Sequence, residues 1–196
     1  DVKIEAPYPA NPKVTPMKRV TIDFPKDMSF NPKSDTPVCP DDKVGPAANL
    51  SFPPDTIIAR CPGSVIGNGT SDLYLAQANS AAGPNLNDPV LIIFNGGKNT
   101  EGNARIKIYG YSAGTAAGVY MDGVLEDNGD LRVKIPVLSF DSGTGRYDLN
   151  IPGSNVAEEN RRGVDKNYVQ AKCSTGVWHT SAEFTLGTRD TAGNPT

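Results

Sequence analysis

The segment Gly118-Val119-Tyr120-Met121-Asp122-Gly123-Val124-Leu125, continued by Glu126-Asp127-Asn128-Gly129-Asp130 and then by Leu131 to Phe140, sets how the rest of the chain reads. Two runs in which apolar and polar positions alternate flank a cluster of turn formers. Alternation at every second residue marks a strand with one buried face. Asn128-Gly129 tolerates the two positive φ angles of a type I′ turn, so a two-residue β-hairpin is predicted here.

Strand signals of the same kind continue on both sides. They are Val20 to Phe24, which Pro25 ends, then Ser64 to Ile66, Leu73 to Leu75, Val90 to Phe94, Ala104 to Tyr111, Arg146 to Ile151, Tyr168 to Lys172 and Val177 to Leu186. Turn formers fill nearly every gap, Gly143 and Gly145 among them. No window sustains helical periodicity, and Val156 to Arg162, the one stretch with any helical character, has few apolar residues. The expected fold class is all-β: an antiparallel β-sandwich, jelly-roll-like, or a partly closed barrel. It should occupy residues 19–190 as a single domain, with a C-terminal tail at 191–196. The 20 glycines and 17 prolines follow no short period, which excludes collagen and suits many short strands joined by turns.

Pro7, Pro9, Pro12 and Pro16 remove too many N–H donors for residues 1–18 to form a helix or a central strand, so this stretch is predicted to be an extended Pro-rich arm. An arm of that kind could add a strand to the open sheet edge of a neighbouring protomer. A homo-oligomer or polymer assembled through residues 1–18 is the corresponding expectation.

The formal charge of −3 comes from 19 basic and 22 acidic residues, and the basic ones are scattered rather than gathered into a stripe, which argues against nucleic acid as a partner. The densest apolar run, Pro89 to Phe94, is far short of the roughly 20 residues that span a bilayer, so no membrane span is expected. Cys39 and Cys61 enclose Pro40, Pro46, Pro53 and Pro54, and a disulfide between them would give the irregular stretch from Asn31 to Pro54 a reason to stay ordered. Within that stretch only a short helical turn around Pro40 to Lys43 is expected. Cys173 is then left as a buried thiol, a partner for another chain, or half of a bridge to a lost cysteine. The disulfide, and a start at Asp1 that suits signal-peptide removal, point to a secreted or cell-surface protein.

One motif invites an enzyme reading. Gly110-Tyr111-Ser112-Ala113-Gly114 fits the G-x-S-x-G nucleophile elbow, and the single histidine, His179, follows with Asp122, Asp148 and Asp165 between. Asn95-Gly96-Gly97 could serve as an oxyanion loop. The elbow, however, needs a helix after the serine, and Thr115 to Tyr120 leads into another β-like run instead. Ser112 and His179 are therefore retained only as the alternative of a small secreted serine hydrolase, and no catalytic activity is the leading expectation.

Other constellations are weaker. One histidine and three spaced cysteines cannot supply a usual zinc set, so no metal or cofactor is expected. Asp127, Asn128 and Asp130 resemble Ca²⁺ ligands without the distal bidentate Glu, and a solvated turn is the simpler reading. Glu158-Glu159 beside Arg161-Arg162 reads as an exposed, self-compensating charge run. Asn49 and Asn68 begin N-glycosylation acceptor patterns. Trp178, with Tyr109, Tyr111 and Tyr120, could form an aromatic surface on which a cell-surface polysaccharide stacks, against the plainer reading of core or rim packing.

The stretch Ala59-Arg60-Cys61-Pro62-Gly63-Ser64-Val65-Ile66-Gly67-Asn68-Gly69-Thr70 resembles a segment of uncharacterised secreted proteins of actinobacteria. Leu91 to Gly96, Gly145-Arg146-Tyr147 with Ile151-Pro152-Gly153, and Tyr168 to Cys173 followed by Glu183-Phe184-Thr185 agree in order, so the resemblance covers residues 20–190. It implies export and no assigned activity. It also implies a fourth cysteine soon after the last strand, where this sequence has Pro195-Thr196. The resulting expectation is a secreted or cell-envelope structural or binding module, with a carbohydrate-binding domain as the other non-catalytic alternative.

Overall fold

The computed structural model describes residues 2–5, 17–30, 36–75, 86–126, 129–136, 142–151, 168–171, 174–188 and 190–191. In chain order the elements are β1 (Val2–Glu5), β2 (Met17–Asp23), β3 (Met28–Phe30), α1 (Pro54–Arg60), β4 (Val65–Leu75), β5 (Val90–Lys98) and β6 (Ala104–Ser112). After them come β7 (Ala117–Leu125), β8 (Asp130–Lys134), β9 (Ser142–Asn150), β10 (Val169–Ala171) and β11 (Ser181–Leu186). Nine strands form one sheet in the order β1-β9-β4-β5-β6-β7-β8-β2-β11, which curls into an antiparallel half-barrel, while β10 and β3 pair as a separate ribbon. The all-β expectation holds in its partly closed barrel form.

The hairpin that set the reading is present, with a different turn. Glu126 and Asp130 close the ladder, Gly129 N–H donates to Glu126 O at 2.9 Å, and Gly129 has φ +97°. This is the register of a turn followed by a glycine in the left-handed region, which restores the strand twist as a type I′ turn would. Asp127 and Asn128, with the Ca²⁺ reading placed on them, lie outside the described residues.

Two predicted short strands, around Val65 and around Leu73, are one eleven-residue strand, β4. The intervening Gly67 and Gly69 read as turn formers but serve close approach. A Cβ on Gly67 would sit 2.4 Å from Asn150 O, and one on Gly69 only 2.1 Å from Asp148 O. The opposite error occurs near the end of the chain. Val177 to Thr180 were expected in a strand, but Gly176 (φ +77°) and the Thr175 hydroxyl, donating to Val177 O at 2.7 Å, turn the backbone, so β11 begins only at Ser181.

Three elements, β1, β3 and α1, escaped the sequence. β3 is three residues long, too short for a period to show, and pairs Met28↔Ala171 and Phe30↔Val169. Helix α1 starts with Pro54 in its first turn, where a missing N–H costs nothing, and buries only Ile57. Seven residues cannot sustain a helix alone. The Cys39–Cys61 disulfide, with its Cα atoms 5.3 Å apart, ties the end of α1 to the preceding loop as predicted. The expected helical turn is also present, with Lys43 and Val44 N–H donating to Pro40 O. Residues 2–5 of the predicted arm form β1, an edge strand on this chain's own sheet, and Met17 and Lys18 already belong to β2. Residues 6–16, Val156 to Arg162, Asp165 and Cys173 lie outside the described residues.

Alternation along the strands creates two buried faces. Val20, Ile22, Ile93, Ile106, Ile108, Met121, Leu131 and Val133 meet inside the curl as one cluster. Phe94, Tyr109, Val44, Leu50, Ile57 and the two bridged cysteines form a second cluster on the outer face, beneath residues 36–64.

Candidate functional site

The concave face surrounds an apolar cavity of about 90 Å³, lined from strands that are far apart in the sheet order, such as Ile4 on β1, Ile108 on β6 and Val133 on β8. These walls offer a water few polar partners, because nearly all of the lining side chains are apolar. The one phenol there, Tyr147, donates to Met121 Sδ at 3.4 Å, and burial pushes it above its ordinary pKa. Met28 and Met121 supply unbranched, adaptable walls.

The apolar face continues beyond the cavity. Directly opposed residues of an antiparallel pair share a face, and Ala182, Phe184 and Leu186 of β11 oppose Ile22, Val20 and Met17 of β2. Those three β2 residues are buried, whereas Phe184 and Leu186 are 40% and 56% exposed. The apolar face is thus buried along β2 and exposed along β11.

At another margin the β3–β10 ribbon covers it. Phe30 packs between Tyr168 and Phe24, with ring centroids 5.7 and 6.2 Å away. Met28 and Phe30 also line a second, open depression of about 620 Å³ that contains Lys26, Lys98 and Asn103.

The convex face is polar where it meets its cover. Lys107 is 1% exposed; its Nζ donates to Cys39 O at 2.7 Å and lies 2.5 Å from Asp41 Oδ1. Burial pulls the Lys107 ammonium below its ordinary pKa, and Asp41 opposes that shift. Arg105 Nε reaches Asp122 at 2.6 Å, and its other nitrogens donate to Asp41 and to the Tyr120 hydroxyl. The Tyr120 hydroxyl donates to Asp122 Oδ1 at 2.7 Å, and burial raises its pKa. Two cations meet two carboxylates here, so the cluster is neutral and its polar groups are engaged with one another.

Ser112 does not meet His179. Its hydroxyl donates to Asp88 (2.9 and 3.1 Å), and the same carboxylate accepts the Gly114 N–H at 2.8 Å, the chief reason the Asp88 pKa is lowered. Ser112 ends β6 opposite Ala117, while Ala104, Leu125 and Leu131 lie at the far end of the ladders, beside Asp130, Asp23 and Ser181. His179 precedes Ser181, so most of the length of β6, on the order of 25 Å, separates the pair. The G-x-S-x-G segment is the turn of a strand–turn–strand hairpin, with no following helix to lend amide groups. The structure therefore separates the alternative catalytic pair Ser112 and His179.

The aromatic surface is divided in the same way. Tyr109 is fully buried and donates to Phe52 O, while Tyr111 stacks on it at 6.3 Å. Tyr120 is held in the Arg105–Asp122 cluster. Trp178 lies in the exposed segment before β11, near Asp27, whose carboxyl is lowered chiefly by the Ser174 N–H. The four rings do not share one platform, because tyrosines on the outward side of β6 and β7 fall under, or beside, the disulfide-linked cover.

Among the described residues no group of three or more His, Cys, Asp or Glu is placed to hold a metal ion, and no helix is long and apolar enough to cross a membrane. Asn49 is exposed, its side chain accepting the Ser51 N–H, whereas Asn68 lies within β4 between β5 and β9. What sequence reasoning missed is the concave apolar surface itself. Its signal was present in the inward positions of β2, β5, β6, β7 and β8, but only the curl of the sheet brings them together. Comparison of the chain with protein families, curated proteins and solved structures finds no match.

Proposed function

We propose that this chain is an exported, non-catalytic binding module that takes an apolar ligand on the concave face of its half-barrel. The observation that carries the reading is the run of apolar side chains on that face, from the lining of the cavity to the exposed Phe184 and Leu186. Apolar concavities inside curled or closed sheets are common ligand sites, since one ligand can replace many weak contacts at once. Export is supported by the disulfide and by the resemblance to secreted proteins.

The test is a titration with N-phenyl-1-naphthylamine, a neutral probe that fluoresces in apolar surroundings. A saturable signal at one site per chain is expected, with displacement by decanol. Phe184→Glu/Leu186→Glu changes only exposed positions, so it should weaken binding about tenfold with the melting temperature unchanged. A folded wild-type protein without a saturable signal would overturn the reading.

A further inference from the structure

We infer that the ligand carries a single anionic head, held by Lys26 and Lys98 at the rim of the β3–β10 ribbon while its alkyl part occupies the concave face. This assignment rests on the apolar-ligand reading above.

Met28 and Phe30 stand between the two spaces, lining the apolar cavity on one side and the open depression on the other. A molecule that crosses the ribbon at these residues therefore has a dry environment at one end and a hydrated, basic one at the other. Only an amphiphile satisfies both. Lys26 follows Pro25 in the turn closed by Met28 N–H donating to Pro25 O at 2.9 Å, so it is carried on the same short segment as the cavity wall. Lys98 ends β5, opposite Ala104, on the facing rim.

The charge balance favours an anion. Neither lysine has an ion-pair partner among the described residues. Glu126, the acid lining the same depression, is neutralised by Arg132 at 2.7 Å. Asp27, the neighbour of Lys26, accepts from the Ser174 N–H and hydroxyl instead of facing the depression. Asn103 adds a polar group at the rim, its side-chain oxygen buried without a donor among the described residues.

The test is isothermal titration of the full chain with decanoate, decanol and decylamine near neutral pH, for the wild type and for Lys26→Ala/Lys98→Ala. Decanoate should bind about tenfold more tightly than decanol, and decylamine more weakly than either. The double variant should lose the advantage of decanoate and keep its affinity for decanol, and added salt should erode the same advantage in the wild type. Equal affinity of the wild type for decanoate and decanol, or an advantage that survives in the variant, would overturn the anionic head and leave the apolar site standing. Failure of all three ligands to bind would instead remove the apolar-ligand reading itself.

Discussion

Ile106 and Ile108 turn to the concave side of β6, Lys107 and Tyr109 turn to the convex side, and all four are buried to within 1%. The two faces reach that state by different means. Inside the curl, strands meet strands, the backbone groups between neighbouring strands are paired in the ladders, and apolar side chains mainly fill volume. Outside, the cover is largely irregular chain, whose carbonyl groups arrive without partners and must be satisfied on burial. The sheet supplies the donors: Lys107 for Cys39 O, Tyr109 for Phe52 O and Asn95 Nδ2 for Thr36 O. Burying a loop on a sheet thus demands polar side chains in the very positions that an open half-barrel would leave to solvent. The concave face carries little of that demand, which leaves its central lining largely apolar and suited to an apolar ligand.

The largest effect should come from removing the convex clamp. Cys39→Ser/Cys61→Ser opens a loop of sequence separation 22, and urea unfolding should show a loss of about 3 kcal/mol. The concave site should still bind the neutral naphthylamine probe under conditions where the variant is folded. Equal loss of probe binding would break the claim that the faces are independent.

A matched pair of glycine substitutions compares the packing on each side. On the convex face a Cβ at Gly118 would lie 1.8 Å from Leu50 O, a backbone atom that the cover cannot easily withdraw. On the concave face a Cβ at Gly110 would meet Leu91 Cδ2 and Val119 Cγ2, each at 3.1 Å, and side chains there can shift by the few tenths of an ångström required. Gly118→Ala should therefore cost about 2–3 kcal/mol and Gly110→Ala under about 1 kcal/mol in the same urea measurement. Equal costs would mean that the concave wall is as rigid as the loop backbone.

The same contrast explains what could be read beforehand. Strand alternation is a local property, so β2, β5, β6, β7 and β8 were legible from residue order alone, and the prolines between Cys39 and Cys61 made that bridge legible too. Gly67 and Gly69 hid the continuity of β4, because a glycine that admits a neighbouring backbone looks, in sequence, like one that turns. Lys107 was silent for a related reason. A lysine between Ile106 and Ile108 reads as the solvent side of a half-buried strand, and only the carbonyl of Cys39 above it reveals a buried donor. The candidate site was least legible of all, since Ile4, Ile108 and Val133 are brought to one cavity only through the curl, and Met28 and Phe30 only through the β3–β10 ribbon. Ser112 shows the converse, a motif that matched in order while its partner histidine lay at the opposite end of the sheet.

The smallest effect separates the faces by pH. The Asp41 carboxyl is held below its ordinary pKa first by the hydrogen bond from Lys107 and further by the charges of Lys107 and Arg105, while partial burial opposes them. The folded chain therefore binds that proton less tightly than the unfolded chain does. The stabilisation is complete above about pH 4, where an unfolded aspartate is ionised, and is lost as the pH falls through the lower folded value. Asp88 and Asp27 are lowered as well, so the overall acid slope is shared, and Asp41→Asn isolates the convex contribution. Between about pH 5 and pH 2.5 the wild-type urea midpoint should fall more steeply than that of the variant. The Asp41 side chain is 58% exposed, and solvent screening there keeps the difference under about 1 kcal/mol. The described concave lining contains no carboxylate, so binding of the neutral probe should not follow this slope in either protein while both remain folded. Parallel midpoints would show that Lys107 is satisfied by Cys39 O alone, and that the convex face owes its order to the disulfide and its apolar cluster.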